Sequence, residues 1–382
     1  MRICFVINKF SFLMSHRFHL LSEIAKKHDV EVITDIRGAL NKDITKCQEN
    51  NIILKPLKQR SEKSFFSYLT YFYKLKKELY KSSYDQIFFV TIELSIFGAL
   101  LKNRKFFQRK YFLITGLGAF FESKNLKYRI ARILYNLIFK KEAKNKSSKF
   151  IFQNNENRDI FISLGYSTKR NSEVIFGNGV IEQVIDKKIN QDNIAPLKFC
   201  FAGNLTESKG VRELLKATRE IIAENDLELI IAGKHEENKL DFISEQMMKE
   251  IHESSYIKYL GFVEHSKMDE IYLNSDIFIL PSYGEGIPNS ALEAASYSLP
   301  LILSDVGGCR ECINNNGLLV KPRDSHDLKE KILQLIKNPE VIDEMSKNSL
   351  LHVNKNFGLN VIARKYLNLI EKSYESECIH RD

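Results

Sequence analysis

Ile277-Phe278-Ile279-Leu280-Pro281-Ser282-Tyr283-Gly284-Glu285-Gly286-Ile287-Pro288-Asn289-Ser290-Ala291-Leu292-Glu293 passes from an unbroken apolar run, through a loop bearing Pro and Gly, into a segment of helical composition. The first four residues read as a buried strand, Pro281-Ser282 ends it, and Ala291 to Tyr297 reads as a helix. Strand, loop and helix in that order form the repeating unit of a doubly wound α/β domain. Such sheets bind ligands outside the carboxyl ends of their strands. Glu285 lies in this loop between two glycines and Glu293 lies just inside the helix, so both acids fall where a ligand would sit.

The same alternation extends in both directions. Upstream, strands are expected at Ile3 to Ile7, Val30 to Thr34, Gln86 to Val90, Lys110 to Ile114, Lys149 to Gln153 and Val174 to Phe176. Helices are expected between them at Phe18 to Lys27, Phe65 to Leu79, Ser95 to Leu101, Leu126 to about Lys146 and Glu156 to Leu164. From Gly177 to Pro196 periodicity fails and Gly, Asn, Asp and Lys gather, which marks a boundary. A second alternation then begins with strands at Leu197 to Ala202, Leu227 to Ala232, Ile257 to Leu260, Ile277 to Leu280, Leu301 to Ser304 and Leu318 to Val320. Its helices are expected at Val211 to Ala223, Leu240 to His252 and Met268 to Leu273, with three more after Asp324. Strands alternating with helices imply parallel sheets covered on both faces. The expectation is a first domain over 1–180, a linker over 181–196, a second domain over 197–358 and a C-terminal helix over 359–382.

A chain of 382 residues, 44% apolar with 7 Pro, is long enough for two cored domains and too apolar for disorder. Its longest apolar stretch, Ile87 to Leu101, contains Glu93 and falls short of the ~20 residues that span a bilayer. Met1-Arg2-Ile3-Cys4-Phe5-Val6-Ile7 reads as a first strand and carries no cleavage pattern, so a cytoplasmic protein is expected. The six cysteines suit that compartment. Cys309 and Cys312 make a Cys-x-x-Cys pair, but no second pair completes a zinc site, and two ordinary thiols are expected.

Charge is divided unevenly. Residues 1–190 hold 35 Lys and Arg against 17 Asp and Glu, whereas the remainder holds 22 against 31. Leu101 to Phe150 alone carries fourteen basic and two acidic residues, which points to an anionic partner for the first half. From Leu126, Ile130, Ile133, Leu134, Leu137 and Ile138 alternate with Lys127, Arg129, Arg132, Lys140 and Lys141, the pattern of a basic amphipathic helix. Phe65 to Lys77 likewise mixes aromatics with lysines. An anionic membrane surface would attract such residues at roughly 1 kcal/mol each. An ordinary helix with its apolar stripe on its own core gives the same pattern. Nucleic acid is the weaker explanation, since the chain carries no RNA-binding signature.

Three segments carry chemistry. Phe199 to Ala202 runs into Gly203-Asn204-Leu205-Thr206-Glu207-Ser208-Lys209-Gly210 and then a helix, a Gly-bearing turn whose free N–H groups and dipole suit a phosphate. Lys209 in a first helical turn opposes the helix dipole unless an anion sits there; a solvated lysine compensated by Glu207 is the other reading. The spacing is not that of a Walker loop. Glu285 can accept hydrogen bonds from sugar or ribose hydroxyls, and Asn289 and Ser290 offer N–H groups to a diphosphate. Ser290-Ala291-Leu292-Glu293 also fits a capping box, in which Glu293 would reach back to the helix start.

These segments, followed by Ser304-Asp305-Val306-Gly307-Gly308 and Asn316-Gly317-Leu318-Leu319-Val320, resemble the family 4 retaining glycosyltransferases of GT-B fold. Ser15-His16-Arg17, Ile114-Thr115-Gly116-Leu117-Gly118 and Phe152-Gln153-Asn154 resemble bacterial members that build O-antigen, capsule or other lipid-linked glycans. The resemblance spans nearly the whole chain. It implies two Rossmann-like doubly wound domains facing across a cleft, with a terminal helix crossing back to the first domain. It further implies a hexose or N-acetylhexosamine moved from a nucleotide sugar, UDP-linked, to a hydroxyl of an undecaprenyl-diphosphate saccharide at the inner face of the plasma membrane.

By the same resemblance Lys209 neutralises the diphosphate, Glu285 contacts the donor sugar and Glu293 holds the ribose. Gly286, Ile287, Pro288 and Asn289 line the donor. Asn204 stands where the family usually has Arg, which removes one guanidinium from the phosphates. On the acceptor side His16, at the carboxyl end of strand one beside Arg17, is placed to relay a proton from the acceptor hydroxyl, or else is a surface histidine at a helix start. Gly116 and Gly118 admit a ligand close to backbone or simply turn the chain. No Asp-x-Asp marks a metal, so none is expected as cofactor. A nucleotide-sugar epimerase of the same fold and a catalytically silent nucleotide-sugar-binding protein stay open as alternatives.

Overall fold

Unbroken runs of aliphatic and aromatic residues form strands buried on both faces, and in β1 (Arg2–Lys9) every residue from Ile3 to Ile7 is buried. Alternate side chains of β1 feed two different cores. Ile3, Phe5 and Ile7 pack on one face of the sheet with Phe88, Val90, Tyr111 and Leu113. Cys4 and Val6 pack on the other with Ile87, Phe89, Phe112 and Ile114. The computed structural model describes residues 1–58, 65–101, 107–117, 126–183, 196–236 and 241–378. Contacts divide the chain into two units, Met1–Gly179 with Leu359–Asp382, and Val180–Gly358.

In the first unit β1 is followed by α1 (Phe10–His16), α2 (Phe18–Ala25), β2 (Asp29–Asp35), α3 (Asn41–Glu49), β3 (Ile52–Pro56) and α4 (Phe65–Leu79). Next come β4 (Tyr84–Val90), α5 (Ile92–Leu100), β5 (Phe107–Ile114), α6 (Leu126–Glu142), β6 (Ser148–Phe152), α7 (Asn155–Ser163) and β7 (Ser172–Val174). Among the described residues these strands form one parallel sheet ordered β3-β2-β1-β4-β5-β6-β7. At its amino-terminal side Glu31, 3% exposed, takes Lys55 Nζ at 2.7 Å and the Tyr84 hydroxyl at 2.7 Å, and pairs with Arg2. Helix α3 and strand β3 were not expected from the sequence. His16, expected at the carboxyl end of strand one, instead ends the helix Phe10–His16.

The second unit contains β8 (Leu197–Ala202), α8 (Val211–Ile221), β9 (Leu227–Ala232), α9 (Glu245–Glu253), β10 (Ile257–Gly261) and α10 (Met268–Leu273). It continues with β11 (Ile277–Leu280), α11 (Asn289–Ser296), β12 (Leu301–Ser304), β13 (Gly317–Val320), α12 (Ser325–Lys337) and α13 (Pro339–Phe357). Its parallel sheet, among the described residues, is ordered β10-β9-β8-β11-β12-β13. Helix α9 starts at Glu245, later than the expected Leu240, because Phe242 instead forms an antiparallel bridge with Thr206. Residues 184–195 of the expected linker lie outside the described residues, as does Leu240.

The last helix, α14 (Leu359–Cys378), belongs to the first unit. Its stripe Ile362, Ala363, Tyr366, Leu369 and Ile370 is buried in the core that holds Ile3 and Phe5. Gln86 Nε2 donates to the Ile370 carbonyl at 2.9 Å. The outgoing and returning strands of chain run side by side at the start and end of the second unit, where Val180 N–H donates to the Phe357 carbonyl at 3.0 Å and Val180 bridges Gly358.

Candidate functional site

Strand order reverses between β8 and β11, because the chain goes from β8 outward to β9 and β10 and returns to the far side of β8 at β11. Loops leaving the carboxyl ends of two such strands diverge and open a crevice. The loops after β8, β11 and β12 meet here, and glycines let them approach. Gly210 has φ +71, and a Cβ there would stand 2.1 Å from the Pro281 carbonyl oxygen. Gly308, φ +85, lies equally tight against the Gly286 carbonyl, at 2.1 Å. The Tyr283 N–H donates to the Ser208 carbonyl at 2.8 Å, tying the first two loops together.

Across this junction the Lys209 ammonium pairs with the Glu285 carboxylate, and the Ser282 hydroxyl donates to Glu285 Oε1 at 2.7 Å. The side chains are 29% and 12% exposed, so the pair is shielded yet reachable. Lys209 closes the 3-10 turn Glu207–Lys209 and Gly210 caps α8, which begins at Val211. It therefore precedes the helix and does not lie in its first turn. Asn204 is exposed on the same loop.

Glu293 is not a helix cap. Helix α11 is capped by Pro288 without a side-chain bond, and Ser290 is its second residue. The Glu293 carboxylate instead accepts the Tyr272 hydroxyl at 3.3 Å and stands 4.0 Å from His265 Nδ1. Burial pushes its pKa up from the usual carboxylate value, against the opposing pull of His265 and Tyr272. Between the two acids, Gly286, Ile287 and Pro288 are buried and Asn289 opens the helix.

A cluster not read from the sequence lies behind Glu285. The Tyr283 hydroxyl donates to the Glu213 carboxylate, 2.9 Å from each oxygen, and the Arg323 guanidinium lies over the Tyr283 ring at 4.5 Å. Glu213 follows Lys209 by four residues and Arg323 follows β13, so chain proximity gives no signal of their meeting.

The acceptor-side residues belong to the first unit. His16 ends α1, half-buried, its ring edge-on to Phe12 at 4.8 Å. Arg17 is 1% exposed, and its Nη1 reaches the Tyr366 hydroxyl of α14 at 3.3 Å. That burial removes Arg17 from the residues able to touch an acceptor at the surface. Gly116 is half-buried after β5, and Gly118 lies outside the described residues. Cys309 and Cys312 are buried free thiols, pushed well above the ordinary thiol pKa by burial. Among the described residues no cluster of three or more His, Cys, Asp or Glu could hold a metal ion, and no helix is long and apolar enough to cross a membrane.

Residues 183–351 match the family model "Glycosyl transferases group 1" and residues 2–154 match "Glycosyl transferase 4-like". The chain is 27% identical over 325 residues to an N,N'-diacetylbacillosaminyl-diphospho-undecaprenol alpha-1,3-N-acetylgalactosaminyltransferase of Campylobacter jejuni, covering 80% of this chain and 82% of that protein. Its fold is similar to that of a sucrose-phosphate synthase from Thermosynechococcus elongatus, with TM-score 0.78 and 18% identity over 98% of this chain and 100% of that one. It is also similar to Anabaena HepE, solved in complex with UDP and glucose, with TM-score 0.75 and 16% identity over 97% and 100% of the two chains. With one glycosyltransferase model on each of two parallel-sheet, Rossmann-like units, the chain is a glycosyltransferase that matches group 1 over its second unit and the 4-like model over its first.

Proposed function

We propose that the protein transfers a hexose or N-acetylhexosamine, with retention, from a UDP-linked sugar to a hydroxyl of an undecaprenyl-diphosphate saccharide in bacterial surface polysaccharide synthesis. The observation that carries this reading is the Lys209–Glu285 pair over the switch point of the second sheet. A diphosphate entering there draws the Lys209 ammonium off Glu285 and meets the amino-terminal end of α11, whose dipole favours negative charge. Glu285, released, accepts hydrogen bonds from the donor sugar. Gly286, Ile287, Pro288 and Asn289 line the sugar and phosphates, and Glu293 takes the ribose hydroxyls. As the sugar–phosphate bond breaks, Lys209 and the helix end stabilise charge on the leaving diphosphate. Asn204 supplies no second cation, so Lys209 carries most of that charge. His16 relays the acceptor proton, and Gly116 lines the acceptor.

The activity named for the Campylobacter relative, on a diphospho-undecaprenol acceptor, supports the acceptor class, and the UDP complexes of HepE support the nucleotide. An anionic membrane surface is the first unit's second partner. Helix α4 buries Tyr71, Leu75 and Leu79, yet also exposes Phe66 (79%), Leu69 (50%) and Tyr73 (68%) beside exposed Lys74, Lys76 and Lys77. Core packing accounts for the first stripe and not the second. Ile133 and Leu137 of α6 are exposed beside Lys140 and Lys141. The side chains of Lys127 and Arg129 lie outside the described residues. These faces support a peripheral position at the inner face of the plasma membrane and call for no nucleic acid partner.

The test pairs a panel of nucleotide sugars with polyprenyl-diphosphate saccharides and reads products by mass spectrometry, with and without a chelator. A lipid-linked product that disappears with Glu285→Ala, and that survives chelation, is expected. A changed nucleotide sugar without lipid would instead indicate an epimerase, and donor binding without any turnover a silent protein. Flotation on anionic liposomes should recover the protein; retention by nucleic acid alone would overturn the membrane assignment.

A further inference from the structure

The loop that carries Glu285 is fastened at its backbone in three places: Pro281 against Gly210, Tyr283 to Ser208, and Gly286 against Gly308. Between the first and last of these the Tyr283 side chain is gripped from two sides. Its hydroxyl donates to Glu213, 8% exposed in the first turn of α8. Its ring is covered by the Arg323 guanidinium at 4.5 Å.

Arg323 is exposed and, among the described residues, makes no ion pair, so its guanidinium is committed to the ring. It adopts φ +62, a left-handed conformation that a long side chain takes only when its surroundings impose it. The surroundings do so. Asp324 caps α12 by accepting from the His326 and Asp327 N–H groups, each at 3.0 Å, while Asp327 accepts the Lys321 N–H at 2.7 Å. Helix α8, the β13–α12 turn and the β11–α11 loop therefore converge on one ring, two residues before Glu285.

We propose that Tyr283 is a positioning residue for sugar transfer, with Glu213 and Arg323 holding its ring so that Glu285 keeps its place beside Lys209 and the donor sugar. This rests on the donor-site reading above. The phenol keeps its proton under any working condition, because burial and the Glu213 carboxylate raise its pKa, so the donor to Glu213 is always present.

The full chain is tested with the nucleotide sugar and acceptor that give product. Tyr283→Phe keeps the ring and removes the hydroxyl; kcat should fall about tenfold, since small displacements of a reacting group cost this much or more. Affinity for the free nucleoside diphosphate, measured by calorimetry, should not fall, because Lys209 and the helix end are untouched. Glu213→Ala should reproduce the loss and Glu213→Gln should recover most of it, as an amide oxygen still accepts from the phenol. The double variant Tyr283→Phe with Glu213→Ala should be no worse than either alone. Arg323→Ala, at an exposed position, should lower kcat severalfold with melting temperature little changed. Unchanged kcat in Tyr283→Phe, or a Glu213→Gln as impaired as Glu213→Ala, overturns the proposal. A Glu285→Ala enzyme that still transfers sugar would instead sink the donor-site reading, whatever the Tyr283 variants do.

Discussion

Lys209 and Glu285 pair with each other, so a diphosphate would compete with a carboxylate for the same ammonium. Glu285 is also of like charge to that diphosphate. Glu285→Gln should therefore bind free nucleoside diphosphate roughly tenfold more tightly while transferring sugar far more slowly, because like charges in one site oppose binding. Calorimetry beside a turnover assay checks both halves; weaker diphosphate binding in this variant would contradict the competition. Each of these residues was legible in the sequence as a candidate for the proposed donor site. Their direct pairing was not, since 76 residues separate them and only the order of parallel strands brings them together.

Glu31 offers a pH test in the other unit. Burial alone would raise its pKa, but Lys55, Tyr84 and Arg2 together overcome that and hold it below 4.5. A depressed carboxyl gives stability that is present in full above the unfolded value and is lost as pH falls through the folded one. Denaturant titrations of the parent from pH 7 to 3 should show this loss below about pH 4.5. Glu31→Gln should remove that slope and, by leaving Lys55 and Arg2 without their acid, cost about 3 kcal/mol at pH 7.

At the scale of elements, the site depends on backbone approaches that only glycine allows. Gly210→Ala and Gly38→Ala both put a Cβ on a left-handed residue, but Gly38 has nothing within 4 Å whereas Gly210 meets Pro281. Gly38→Ala should cost about 1 kcal/mol, the conformational term alone. Gly210→Ala should cost clearly more and also weaken donor binding, as measured by denaturant unfolding and calorimetry. Equal effects at the two positions would mean that the loop contact contributes nothing. The alternation of long apolar strands with amphipathic helices made most elements readable, as in the unbroken runs of β1, β8 and β11. Helix α3 was missed because it buries a single residue, Cys47, and so shows almost no apolar stripe. Strand β3 was missed because it is a short edge strand with an exposed Ile53. The alternative reading of Glu293 as a cap fails although Ser290-Ala291-Leu292-Glu293 satisfies the capping pattern, because the actual first helical residue is Asn289.

At the scale of the molecule, the first unit is built from two stretches of sequence separated by the whole second unit. Removal of residues 359–382 would strip Ile362, Ala363, Tyr366, Leu369 and Ile370 from a core they share with β1 and β4. It would also leave Gln86 Nε2 and Arg17 Nη1 without their partners on α14. A chain ending at Gly358 should retain a folded second unit, with nucleoside diphosphate binding, and lose cooperative unfolding of the first, read by limited proteolysis and by hydrogen exchange in β1 and β4.

The returning helix also sets an order of assembly during synthesis. Every residue of the second unit leaves the ribosome before Leu359, so that unit can complete its sheet while the first still lacks one wall. Until α14 emerges, the face formed by Ile3, Phe5 and Phe88 is covered only in part, by α1 and α2, and the nascent chain carries the remaining apolar surface through the translation of about 180 residues. The aromatic, basic half is thus the part of the protein most in need of protection by a chaperone or of slow, late closure.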